Sequence, residues 1–102
     1  MRKKAEILVV DDSMENRLLL TILLEDDYQI IEADSGEACL DLVKREKPDL
    51  ILLDVNMPGL NGYQVCEALK IDPDTQHIPV VFVSGLDSQD EKRLGFAAGA
   101  DE

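Results

Sequence analysis

Asp11, Asp12, Asp54 and Ser84 share one feature: each closes a short apolar run. Asp11 and Asp12 follow Ile7-Leu-Val-Val10, Asp54 follows Leu50-Ile-Leu-Leu53, and Ser84 follows Pro79-Val-Val-Phe-Val83. Three carboxylates brought to one place repel, and that repulsion opposes ionising all of them. A divalent cation relieves it. Mg2+ prefers oxygen ligands, takes one or two carboxylates, and leaves its other positions to water or phosphate oxygens. With no histidine and no usable cysteine among these groups, the donor set favours Mg2+ over Zn2+. A carboxylate can also attack phosphorus and form an aspartyl phosphate. A metal held by some of the acids would neutralise charge on the incoming phosphoryl group while another acid attacks. Asp54, delivered by the most apolar strand to a Met-Pro-Gly loop, suits the attacking role. Ser84, with Gly85 beside it, suits a hydrogen bond to a phosphoryl oxygen.

Any one of these aspartates is equally well explained as a helix cap or turn former. Convergence is what separates the two explanations, so the elements that carry them decide. Residues 7–10 form a continuous apolar run and are expected to be a buried strand. Ser13 offers a helix N-cap, and Leu18, Leu19, Ile22 and Leu23 form a stripe of helical period. Residues 28–31 give a second strand, with Glu32 and Asp34 after it, and Ser35 opens a second helix burying Cys39, Leu42 and Val43. That helix stops before Pro48. Residues 50–53 give a third strand, and a third helix starts at Asn61 or Gly62 and buries Val65, Cys66 and Leu69. Asp72-Pro73-Asp74 is a turn, residues 78–83 a fourth strand, and a fourth helix runs from Asp87 or Ser88 to about Ala98.

Strands alternating with helices of this length imply right-handed crossovers and a parallel sheet. The expected class is α/β, doubly wound. Function in such sheets gathers at the carboxyl ends of the strands, where Asp11, Asp12, Asp54 and Ser84 all fall.

Length and composition bound the rest. One domain over residues 1–102 is expected, and 45% hydrophobic residues are enough for a core. Acidic residues outnumber basic ones 22 to 10, for a net charge of -12, which argues against direct contact with nucleic acid or an anionic membrane. Cys39 and Cys66 fit no metal spacing and are expected to be buried thiols. Residues 7–10 are too short a run for a signal peptide, and no run is long enough to span a bilayer. A reducing cytoplasm is the expected compartment.

The sequence resembles the receiver (phospho-acceptor) domain of bacterial two-component response regulators. The resemblance rests on ILVVDDS at 7–13, LILLDVNMPGLNG at 50–62, IPVVFVSG at 78–85 and GADE at the end, all in order. It implies a flavodoxin-like αβα sandwich with strand order 2-1-3-4, phosphorylation of Asp54, and an Mg2+ cofactor. It also implies that Asp12 and Asp54 bind the metal directly, that Asp11 acts through water, and that Asn56 contributes its backbone carbonyl. Ser84 matches the family's switch hydroxyl. The implied partners are a sensor histidine kinase or phosphotransfer protein as donor, and an output domain or partner protein as receiver of the signal. On this reading the chain is not an enzyme, beyond catalysing its own phosphorylation and dephosphorylation.

The family also has a fifth strand ending in a Lys-Pro pair and a fifth helix. No lysine here matches that lysine, and Lys92 falls in the fourth helix instead. The expectation is a receiver domain incomplete at its C-terminus, with residues 80–83 as an open edge prone to self-association. Two alternatives are weighed. A haloacid-dehalogenase-type phosphatase would place a second Asp two positions after the nucleophile, where this chain has Asn56, which lacks a carboxylic acid's proton chemistry. A pseudo-receiver binding module would keep the fold without the chemistry.

Overall fold

Right-handed crossovers and the order of the strands dictate where each helix of this chain sits. The computed structural model describes residues 4–83. Its strands are β1 (Glu6–Val10), β2 (Gln29–Ala33), β3 (Leu50–Leu53) and β4 (Val80–Phe82), and its helices are α1 (Met14–Leu24), α2 (Gly36–Glu46) and α3 (Gly62–Ile71). The four strands form one parallel sheet in the order β2-β1-β3-β4. The chain steps one way from β1 to β2, then back across β1 to β3 and on to β4. Right-handed connections therefore put α1 on one face and α2 and α3 on the other. The expected doubly wound α/β architecture and strand order are present.

The core lies on the α2–α3 face. Leu8, Val10, Ile51, Leu53 and Val80 from the sheet pack with Cys39 and Val43 of α2 and Val65, Cys66 and Leu69 of α3. Burial pushes the Cys39 thiol up to about 12, so it stays protonated and inert. Tyr63 stacks edge-on against Phe82 with ring centroids 5.2 Å apart, fastening α3 to β4.

Local chemistry starts each helix. Ser13 Oγ accepts from Asn16 N, and Ser35 Oγ accepts from Ala38 N. Asn61 and Gln64 form a reciprocal capping box, with both bonds at 2.9 Å. Asn61→Ala removes one of them and is expected to cost about 1 kcal/mol. In a domain of this size that lowers Tm by about 4–8 °C. A circular dichroism melt checks it; an unchanged Tm would show the cap to be dispensable. At the other end of α2, Lys47 takes a left-handed conformation (φ 48°) and Pro48 follows, so the helix stops where the proline required.

One expectation changes. Leu18, Leu19, Ile22 and Leu23 do have helical spacing, but they are 57–66% exposed. The half-buried side of α1 is Arg17, Leu20, Thr21 and Leu24, rotated about one residue from the apolar stripe. Hydrophobic period located the helix; the crossover geometry chose its inner face. Fourth-helix residues, Gly85, Lys92 and Ser84 lie outside the described residues. Among the described residues β4 is one edge of the sheet.

Candidate functional site

The strand order reverses between β1 and β3, which puts the switch point of the sheet at the carboxyl ends of those two strands. Register brings the acids there together. Val10 pairs with Leu53, so the next residues, Asp11 and Asp54, emerge side by side. The backbone bonds agree with that alignment: Asp54 N donates to Val10 O at 2.9 Å, and Asp11 N donates to Ala33 O of β2 at 3.1 Å. Carboxylate oxygens of Asp11, Asp12 and Asp54 all lie within 4.8 Å of one another.

The three acids have different surroundings. Asp11 is buried, at 5% exposure; Asp54 is half-buried and Asp12 exposed. Asp11 is held by three groups. Its Oδ1 accepts from Ser13 N at 2.8 Å, its Oδ2 accepts from Asn16 Nδ2 at 3.3 Å, and its carbonyl accepts from Arg17 Nη1 at 2.7 Å. Asp54 has less support: its Oδ1 accepts from Asn56 N at 3.3 Å. Burial raises the Asp54 carboxyl above its ordinary range, and the charges of Asp11 and Asp12 add to the rise, while backbone donors at Asn56 and Val55 oppose it.

The loop after Asp54 is shaped by two glycines. Gly59 has a φ of 76°, which favours glycine, and turns the chain back toward α3. Gly62, the first residue of α3, lies against the backbone of Asp54 and Val55. A Cβ there would collide with the Asp54 carbonyl and stand 2.8 Å from Val55 Cα. The same approach lets Gly62 N donate to Val55 O at 2.9 Å, closing the loop over the strand end.

A resident cation fits this donor set. The cluster offers three carboxylate oxygens and no nitrogen or sulfur, which suits a hard ion such as Mg2+. Charge repulsion at Asp54 is the electrostatic demand that such an ion would meet. Thus the structure unites Asp11, Asp12 and Asp54 and sets Asn56 beside them. Ser84 lies outside the described residues. Glu32 and Asp34 sit with Arg17 around an open cleft of about 400 Å3 at the end of β2.

Sequence reasoning missed Asn16 and Arg17. A signal existed for the second. A cation in the first turn of a helix has the wrong sign for the helix dipole, so its presence at the fourth position of α1 points to another group that needs it.

Comparisons with known proteins agree with this geometry. A family model described as the response regulator receiver domain matches residues 7–102. Response regulator PleD of Caulobacter vibrioides is 46% identical over 99 residues, covering 96% of this chain and 22% of PleD. Protein PilH of Pseudomonas aeruginosa is 41% identical over 97 residues, covering 94% of this chain and 80% of PilH. The solved structure of chemotaxis protein CheY4 of Vibrio cholerae matches with a TM-score of 0.90 at 30% identity, covering 95% of this chain and 82% of that one. The chain thus spans about a fifth of PleD and most of PilH and CheY4. With the fold, the strand-end acids and these matches in accord, the chain belongs to the family of response regulator receiver domains.

Proposed function

We propose that this chain is a phospho-accepting switch in which Asp54 takes a phosphoryl group from a phosphohistidine on a sensor kinase or phosphotransfer protein. The observation that carries this reading is the meeting of the Asp11, Asp12 and Asp54 carboxylate oxygens within 4.8 Å at the switch point of the sheet. In the transfer, an Asp54 oxygen attacks phosphorus and the P–N bond of the donor breaks. Its electron pair returns to the imidazole, and Asp54 keeps the phosphoryl group as a mixed anhydride. Asp12 and Asp54 would hold Mg2+ directly, with Asp11 acting through water and Asn56 through its carbonyl. When bound, the ion offsets negative charge on the phosphoryl oxygens.

The chain's own residues do the remainder. β3 fixes the Asp54 backbone, and the Asn56 N–H restrains its Oδ1. Ser84 would bond a phosphoryl oxygen and shift the surface near the fourth strand between two populated states. The output is a partner or an attached domain. The phosphoryl group stays on the chain, so this is stoichiometric signalling rather than turnover of a separate substrate. A cytoplasmic phosphorelay suits it, and among the described residues no helix is long and apolar enough to cross a membrane.

Incubation with Mg2+ and a small acyl phosphate, read by intact mass, tests the proposal. One added phosphoryl group is expected with Mg2+, and none once EDTA removes the metal. Labelling indifferent to EDTA would contradict it.

A further inference from the structure

Asp11 is the most buried acid of the cluster, and its main chain is held by a side chain from the helix that follows it. Arg17 reaches from α1 with its side chain only 15% exposed. Its Nη1 donates to the Asp11 carbonyl at 2.7 Å, and its Nε donates to Glu32 Oε1 of β2 at 3.0 Å. One planar guanidinium thus ties together the end of β1, the first turn of α1 and the penultimate residue of β2. The fork geometry matters, because two of its N–H groups point in fixed, different directions.

We propose that Arg17 is a positioning residue for the acidic cluster: anchored by Glu32, it fixes the Asp11 backbone and so the placement of the carboxylates that bind Mg2+. The inference rests on the reading of the cluster given above. Asn16, one residue earlier, holds Asp11 Oδ2 at 3.3 Å, so the first turn of α1 grips Asp11 at both its main chain and its side chain. Arg17 touches neither substrate nor reacting atoms.

Charge and position predict opposite results, which makes the role measurable. Arg17 is a cation bonded to the Glu32 carboxylate and to the backbone carbonyl of Asp11. Its removal would leave Glu32 uncompensated and make the site more negative. Electrostatics alone therefore predicts tighter Mg2+ binding in Arg17→Met. Loss of positioning predicts weaker binding, by about tenfold, the low end for residues that orient metal ligands. Arg17→Met keeps an apolar stem against the sheet. Arg17→Lys keeps the charge but not the fork, and is expected to restore part of the affinity, leaving it about threefold below wild type.

The experiment is Mg2+ titration of the wild-type chain and both variants by isothermal calorimetry, with folding confirmed by circular dichroism. Weaker Mg2+ binding by folded Arg17→Met, with partial rescue in Arg17→Lys, supports the assignment. Unchanged or tighter binding overturns it and leaves Arg17 a structural residue only. If Arg17→Met does not fold, Arg17→Lys decides: a clear loss, near threefold, supports the role, and wild-type affinity overturns it. Failure of the wild-type chain to bind Mg2+ would instead overturn the reading of the cluster itself.

Discussion

Asp54→Asn is expected to abolish phosphorylation and at the same time to raise the stability of the fold. The first effect follows from chemistry: an amide oxygen is not a carboxylate nucleophile, so no phosphoryl group should add under Mg2+ and a small acyl phosphate. The second follows from the surroundings of Asp54. Burial, together with the charges of Asp11 and Asp12, raises its carboxyl pKa in the folded protein. A raised carboxyl means that ionisation disfavours the folded state. The protonated form therefore stabilises the fold: that contribution is present below the unfolded value near 3.9, and it is lost as pH rises through the folded value. Asparagine never ionises, so it keeps the contribution at neutral pH. Asp54 is only half-buried and water screens its charge, so the gain stays below about 1 kcal/mol, or a Tm increase of a few degrees at most.

Three measurements check this. The Tm difference between Asp54→Asn and wild type is largest near neutral pH and shrinks as pH falls through the carboxylate range. Added Mg2+ narrows it too, because a ligand of the folded state alone stabilises wild type, by about 2.7 kcal/mol at a hundredfold excess over its dissociation constant. The variant, short of one ligand oxygen, responds less. Intact mass gives the third result: equal labelling of variant and wild type would move the acceptor away from Asp54. A variant less stable than wild type at pH 7 without metal would show instead that Asp54 is paired rather than repelled.

Gly62→Ala is expected to be the most destabilising single-methyl addition in the site, costing about 3 kcal/mol. The helix gains from alanine, by at most about 1 kcal/mol and less at a first position. Against this stands a Cβ driven into the Asp54 carbonyl and to 2.8 Å from Val55 Cα. Both neighbours are main chain, so no side chain can swing away. Overpacking of this kind costs about 1–3 kcal/mol and sometimes more. The collision therefore outweighs propensity, and Tm should fall by more than about 10 °C. Since the displaced group is the backbone of Asp54 itself, phosphorylation of the remaining folded protein should slow as well. A melt and a labelling time course together read both effects; a Gly62→Ala protein with wild-type Tm would mean that α3 can slide along β3 at no cost.

Much of this protein is written along its chain. Apolar runs 7–10, 50–53 and 78–83 identified three of the strands, and the serines at Ser13 and Ser35 marked two helix starts. Both signals are local: a strand's burial and a cap's hydrogen bond are read from residues a few positions apart. The strand-end rule then gave Asp11, Asp12 and Asp54 as the set to watch.

Tertiary structure alone decided three things. It set the register that pairs Val10 with Leu53 and so makes Asp11 and Asp54 neighbours. It chose the inner face of α1, half-burying Arg17 and Leu20 while Leu18, Leu19, Ile22 and Leu23 of the apolar stripe stayed exposed. And it brought Gly62 against the Asp54 backbone. The physical reason is common to all three. Hydropathy and capping report what a residue prefers within its own segment, whereas register, helix rotation and close approach are settled by the summed packing of segments distant in sequence.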